Sequence, residues 1–173
     1  LSTLPQQKDL ILYDRLVHAS AHDGMRNSRA EIRSIPHNDA EAFEKAITVW
    51  RKAGGKGHPW IVVESIYSME GDIAPLADLA AIADRHDAFL MIDEAHASGV
   101  HGPDGRGFGA ELEGKENIVA LHTCGKALGG FGGLVCASRT ICDFLINRPR
   151  PFIYATAPSP LPAFGVLTAL KIA

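Results

Sequence analysis

Two short apolar runs, each ending abruptly in reactive polar residues, constrain this chain more than any other feature. Ala88 to Ile92 is followed by Asp93, Glu94 and His96, and Ile118 to Leu121 is followed by His122, Thr123 and Lys126. Brief runs that are apolar at nearly every position read as parallel strands buried on both faces, and such sheets bind ligands beyond the carboxyl ends of their strands. Comparable strands are expected at Leu10 to Tyr13 and Trp60 to Val63, with a further one at Glu31 to Ile35.

Helical patterns fill the gaps. A helix capped by Asn38 or Asp39 carries an apolar stripe of Phe43, Ala46, Ile47 and Trp50 and ends at Gly54-Gly55. Another starts at Pro75, with Leu76, Leu79, Ala80, Ile82 and Ala83 apolar, and closes at Arg85-His86. The alternation is that of βαβ crossovers, so the fold class expected is α/β with a mostly parallel sheet and flanking helices. Asp14 to Ser20 reads as a loop holding His18, Asp23 to Ser28 as a short helix, and the Gly-rich stretch His101 to Gly109 as a surface loop. Gly133 to Ala137 should be an antiparallel strand, because only a brief turn separates it from the Lys126 segment. A helix from Thr140 to Asn147, a Pro-stiffened basic hinge at 148–151, a strand from Phe152 to Ala155 and a last helix from about Leu161 complete the chain.

The two polar clusters should converge at one edge of the sheet. A carboxylate such as Asp93 can keep a pyridine nitrogen protonated and a lysine such as Lys126 can form an imine with an aldehyde, so acid, imidazole and amine together suit pyridoxal phosphate chemistry. Each residue alone has a plainer reading: Asp93 as a turn or cap residue, His96 as packing, Lys126 as a solvated charge. Three plain readings falling together after neighbouring strands would be independent accidents. Nucleotide hydrolysis is excluded by spacing, since a phosphate loop ending at Gly125-Lys126 needs Gly and Ser or Thr where Ala120 and Ala127 stand.

Composition narrows the remaining classes. The net charge is −3 with no block of like charge, which points to neither nucleic acid nor an anionic membrane surface. No stretch is long and apolar enough to span a bilayer as a helix. Cys124, Cys136 and Cys142 lack zinc-site spacing, so no metal is expected, and an odd count of free thiols fits a reducing cytoplasm.

At the runs DEAHASGV, GRG at 105–107, HTCGKALGG and RPRPFIYATAPSP the sequence resembles the α-oxoamine synthases, fold-type I pyridoxal phosphate enzymes that condense an amino acid with an acyl thioester. The resemblance runs over essentially all 173 residues. It implies the large, cofactor-binding domain over 1–173, with a preceding segment and a later small domain lying outside this stretch. It further implies pyridoxal 5'-phosphate held by Lys126, Asp93, His96 and Thr123, with His18 stacked on one ring face, Ala95 against the other, Ser68 in the pocket and Glu64 behind it. Thr156 would reach the cofactor phosphate of a second copy in a homodimer. The implied substrates are L-alanine and a pimeloyl thioester of coenzyme A or acyl carrier protein, in the biotin-pathway branch. Glycine C-acetyltransferase and other α-oxoamine synthases stand as alternatives, as does a non-catalytic piece that binds cofactor weakly or only packs against a partner.

Overall fold

The computed structural model describes residues 1–173. Strands β1 (Leu10–Asp14), β2 (Glu31–Ile35), β3 (Pro59–Glu64), β4 (Phe89–Asp93), β5 (Ile118–Thr123) and β6 (Gly133–Ala137) form one sheet in the order β2-β1-β3-β4-β5-β6. All pairs are parallel except β5 with β6, where Ala120 faces Cys136 and His122 faces Leu134 in antiparallel register. The carboxyl ends of β1, β3, β4 and β5 therefore open on the same edge.

Apolar continuity explains the centre of the sheet. Every residue of β3 is buried, and Leu10, Ile11, Leu12, Ile61, Leu90 and Ile92 are inaccessible to solvent within a core cluster of 26 residues. Helix α2 (Ala40–Lys52) buries Phe43, Ile47 and Trp50, the expected stripe at helical spacing, and the Asp39 side chain caps it by accepting the Ala42 N–H at 2.9 Å. Helix α3 (Leu76–Arg85) returns the chain to β4 and buries all five apolar residues that mark it in the sequence.

Two local expectations are corrected. Helix α1 spans Ala19–Arg26, starting four residues before the expected Asp23, because the His18 imidazole accepts the Ser20 N–H and serves as the cap. The expected strand Phe152 to Ala155 is instead the short helix α5, Arg150–Ile153. Pro151 lies in its first turn, where a fixed φ and a missing N–H favour a helix start, and the segment pairs with neither edge strand of the sheet. Helices α4 (Arg139–Asn147) and α6 (Pro160–Ile172) complete the chain close to where they were expected. None of the helices is long and apolar enough to cross a membrane.

Candidate active site

Parallel register sets Glu64 beside Asp93 and Asp93 beside Leu121 at the ends of three adjacent strands. In-register neighbours share a face, and Thr123, two residues beyond Leu121, shares it as well. Helix α1 lies over this face, enclosing a mainly apolar cavity of about 240 Å³ lined in part by Ser20, Ala21, Met91, Asp93, Val119 and Leu121. Asp93 is half-buried there, and its Oδ1 accepts the Ala95 N–H at 2.9 Å, which leaves Oδ2 for another donor.

The turn after β4 carries Ala95 and His96, and the turn after β5 carries Lys126. Lys126 Nζ lies 2.8 Å from His96 Nε2 across 30 residues of sequence. An ammonium has only donors, so the imidazole accepts. Burial pulls the His96 pKa below its ordinary value, and the positive charge of Lys126 pulls it further against the opposing charge of Asp93. A neutral His96 is the acceptor this contact requires. Behind Asp93, Glu64 is buried with Oε1 unpaired; its pKa is raised by burial and then by the Asp93 carboxylate.

The structure thus gathers Asp93, His96 and Lys126, with Thr123 on the Asp93 face and Ala95 between Asp93 and His96. His18 sits exposed at the start of α1, its Nδ1 2.9 Å from Ser20 Oγ, near enough to act electrostatically on both Glu64 and His96. Ser68 lies in an exposed turn after β3, with no side-chain hydrogen bond to the other site residues. Thr156 is exposed in the irregular segment between α5 and α6.

Glu94, adjacent to these residues in sequence, points elsewhere. Completely buried, its carboxylate takes hydrogen bonds from Ser65 Oγ, the Phe108 N–H and the Gly109 N–H and so ties the Gly-rich loop to β3 and β4. Gly107 adopts φ +94°, and a Cβ there would lie 2.4 Å from a Glu94 carboxylate oxygen. The backbone of residues 107–109 is therefore a cradle for a buried acid.

Two polar networks escaped sequence reading because their members are far apart in the chain. His37 Nδ1 meets Asp14 Oδ1 at 2.9 Å while its Nε2 meets Asp72 Oδ2 at 2.7 Å. His122 Nε2 meets Glu113 Oε1 at 2.7 Å. Gly71-Asp72 has a turn signature, but nothing local in the sequence signals its distant partner.

The chain belongs to the aminotransferase class I and II family, whose model matches residues 2–171. More particularly, it is similar to proteins named 8-amino-7-oxononanoate synthase: it is 43% identical to that of Citrifermentans bemidjiense over 99% of this chain and 44% of the relative. The putative 8-amino-7-oxononanoate synthase of Methanocaldococcus jannaschii is 42% identical over 99% of this chain and 46% of its own length. The chain thus spans less than half the length of these relatives. Among solved structures, the Sphingomonas wittichii serine palmitoyltransferase superposes with a TM-score of 0.89 at 30% identity, over 99% of this chain and 42% of that one. The 8-amino-7-oxononanoate synthase of Francisella tularensis gives a TM-score of 0.79 at 32% identity, over 99% and 48%. The α/β fold and the family resemblance expected from the sequence both hold.

Proposed function

We propose that the protein containing this chain is a pyridoxal 5'-phosphate-dependent C-acyltransferase that condenses L-alanine with a pimeloyl thioester, with loss of carbon dioxide, to give 8-amino-7-oxononanoate. The observation that carries the reading is the Lys126–His96 contact at 2.8 Å beside Asp93, on strand ends of a chain similar to enzymes of that name. Structural relatives include SPT solved with PLP.

The donor set fits that cofactor. Asp93 keeps one carboxylate oxygen free for a protonated ring nitrogen, a neutral His96 can bond a phenolic oxygen, the Thr123 hydroxyl can donate to a phosphate, and Lys126 offers an amine in an exposed turn. When bound, pyridoxal phosphate supplies an aldehyde for capturing amines and a ring that accepts the electrons released at the substrate α-carbon. In this reading Lys126 would hold the cofactor covalently, and its amine would be the base that accepts the amino acid's α-proton. Asp93 holds the proton on the ring nitrogen, and His96 orients the phenolic oxygen while positioning Lys126. His18 and Ala95 would flank the two ring faces, Ser68 would border the pocket, and Thr156 would serve the phosphate of a second copy in a homodimer. The acyl donor is a thioester of coenzyme A or acyl carrier protein. Three free cysteines support the cytoplasm as the compartment.

The test is reconstitution with pyridoxal phosphate followed by borohydride. We expect a visible absorbance band that reduction abolishes, with the cofactor's mass added at Lys126; modification spread over other lysines would overturn the assignment. The serine palmitoyltransferase neighbours favour a second reading, in which another amino acid is used. Solvent deuterium entering the α-position of L-alanine and not of L-serine or glycine separates the two.

A further inference from the structure

The opposite face of the β5–β6 ribbon carries a cluster that the reaction above does not use. Ala120 faces Cys136 and His122 faces Leu134, so His122 and Cys136 project on the same side as diagonal neighbours, away from Asp93 and Thr123. Glu113 arrives from the turn before β5. One of its carboxylate oxygens, a His122 ring nitrogen and the Cys136 sulfur all lie within 4.8 Å of one another. The geometry points to a divalent-cation site of the zinc class, with Glu113, His122 and Cys136 as ligands.

The surrounding contacts prepare His122 and Glu113. The Ser98 hydroxyl spends its hydrogen on the Glu94 carbonyl at 2.7 Å, so at 2.8 Å it can only accept from His122 Nδ1–H. That fixes the tautomer and directs Nε2 at Glu113, the arrangement in which a metal-binding histidine is held by a partner on its other nitrogen. Nε2 and Oε1 are 2.7 Å apart with a proton between them, and a cation replacing that proton needs roughly 3.3 Å between two tetrahedral ligands, so the pair must part by about 0.6 Å. The Arg106 guanidinium lies 3.5 Å from the other carboxylate oxygen, Oε2. A cavity of about 190 Å³ bordered by Ser98, Arg106, Glu113, His122 and Cys136 leaves space for a water as fourth ligand. Nitrogen, oxygen and sulfur donors with an open fourth position suit zinc over magnesium or calcium, which prefer oxygen alone. Because Cys136 and His122 are 14 residues apart and Glu113 is a further nine upstream, no short spacing motif announces the site.

The experiment is equilibrium dialysis of the chelator-treated protein against zinc chloride, with X-ray absorption at the zinc edge. We expect one zinc per chain with a single sulfur among its ligands, affinity lowered at least tenfold in Cys136→Ala and in His122→Ala, and no change in Cys142→Ala. Ser98→Ala, which leaves all three ligands in place, should weaken binding 10- to 100-fold. Uptake below one zinc, uptake unaffected by Cys136→Ala, or a shell without sulfur overturns the site. Should the ligand variants fail to fold, the sulfur content of the unsubstituted protein's shell decides alone.

Discussion

At the scale of single residues, Asp93 and Gly107 show two ways in which a sequence position is fixed. In the proposed function Asp93 is set by charge: Asp93→Asn keeps size and the Ala95 contact but removes the negative charge that would face the ring nitrogen. We expect the variant to retain pyridoxal phosphate while losing most exchange of the alanine α-proton into deuterium oxide, followed by NMR; unchanged exchange would count against the role. Gly107 is set by space and backbone angle. Gly107→Ala combines a left-handed φ with a collision against the buried Glu94 carboxylate, and should cost about 3 kcal/mol in denaturant unfolding. A loss under ~1 kcal/mol would show that the loop can shift without releasing Glu94.

At the scale of elements, how legible the fold was depended on whether the signal was local. Strands β3, β4 and β5 are nearly continuous apolar runs because both faces are covered, and α2 and α3 display their buried stripes directly. The segment at 150–156 misled because aromatic and β-branched residues suggest a strand, whereas proline in the first turn favoured a helical turn. Long-range polar ties left no pattern at all. His37 joins the end of β1, through buried Asp14, to the turn holding Asp72, and its ring packs edge-on against Tyr67 at 4.5 Å. Burial lowers its pKa, but the hydrogen bonds and charges of Asp14 and Asp72 outweigh burial, so the net displacement is upward from 6.5. A raised folded-state value means that the tie contributes fully below the unfolded-state pKa and is lost as pH rises through the folded-state one. Unfolding measured across that window should show stability falling with pH, and His37→Phe should remove this component and cost about 2 kcal/mol below it. An unaltered pH profile in the variant would assign the dependence to other groups.

At the scale of the whole molecule, the candidate site was legible where it rests on residues just after strands, whereas the proposed contribution of a second copy leaves no pattern in the chain. Asp93, His96 and Lys126 could be read together because parallel topology brings strand ends to one edge. Thr156 enters only through the family resemblance, for it stands exposed in an irregular segment. Its surroundings nevertheless call for a partner: Phe152, Ile153 and Tyr154 are exposed beside it, and α6 exposes Leu161, Phe164, Leu167, Leu170 and Ile172. Apolar surface on this scale ordinarily lies against another surface, whether more of the same polypeptide or a second copy. A shared site distinguishes these arrangements functionally. In the intact enzyme, Lys126→Ala should abolish turnover, and Thr156→Val should lower it by weakening phosphate binding. In a mixed dimer, one site would receive both lesions and the other neither, because each site would draw its lysine from one subunit and its threonine from the other. With random pairing, half the dimers are hybrids with one good site each, so the mixture should recover about a quarter of unsubstituted activity above any residue left by the parents. Activity no better than the parents' average, with exchange of subunits verified by mass, would place the Thr156 hydroxyl within its own subunit, as the cap of a local turn.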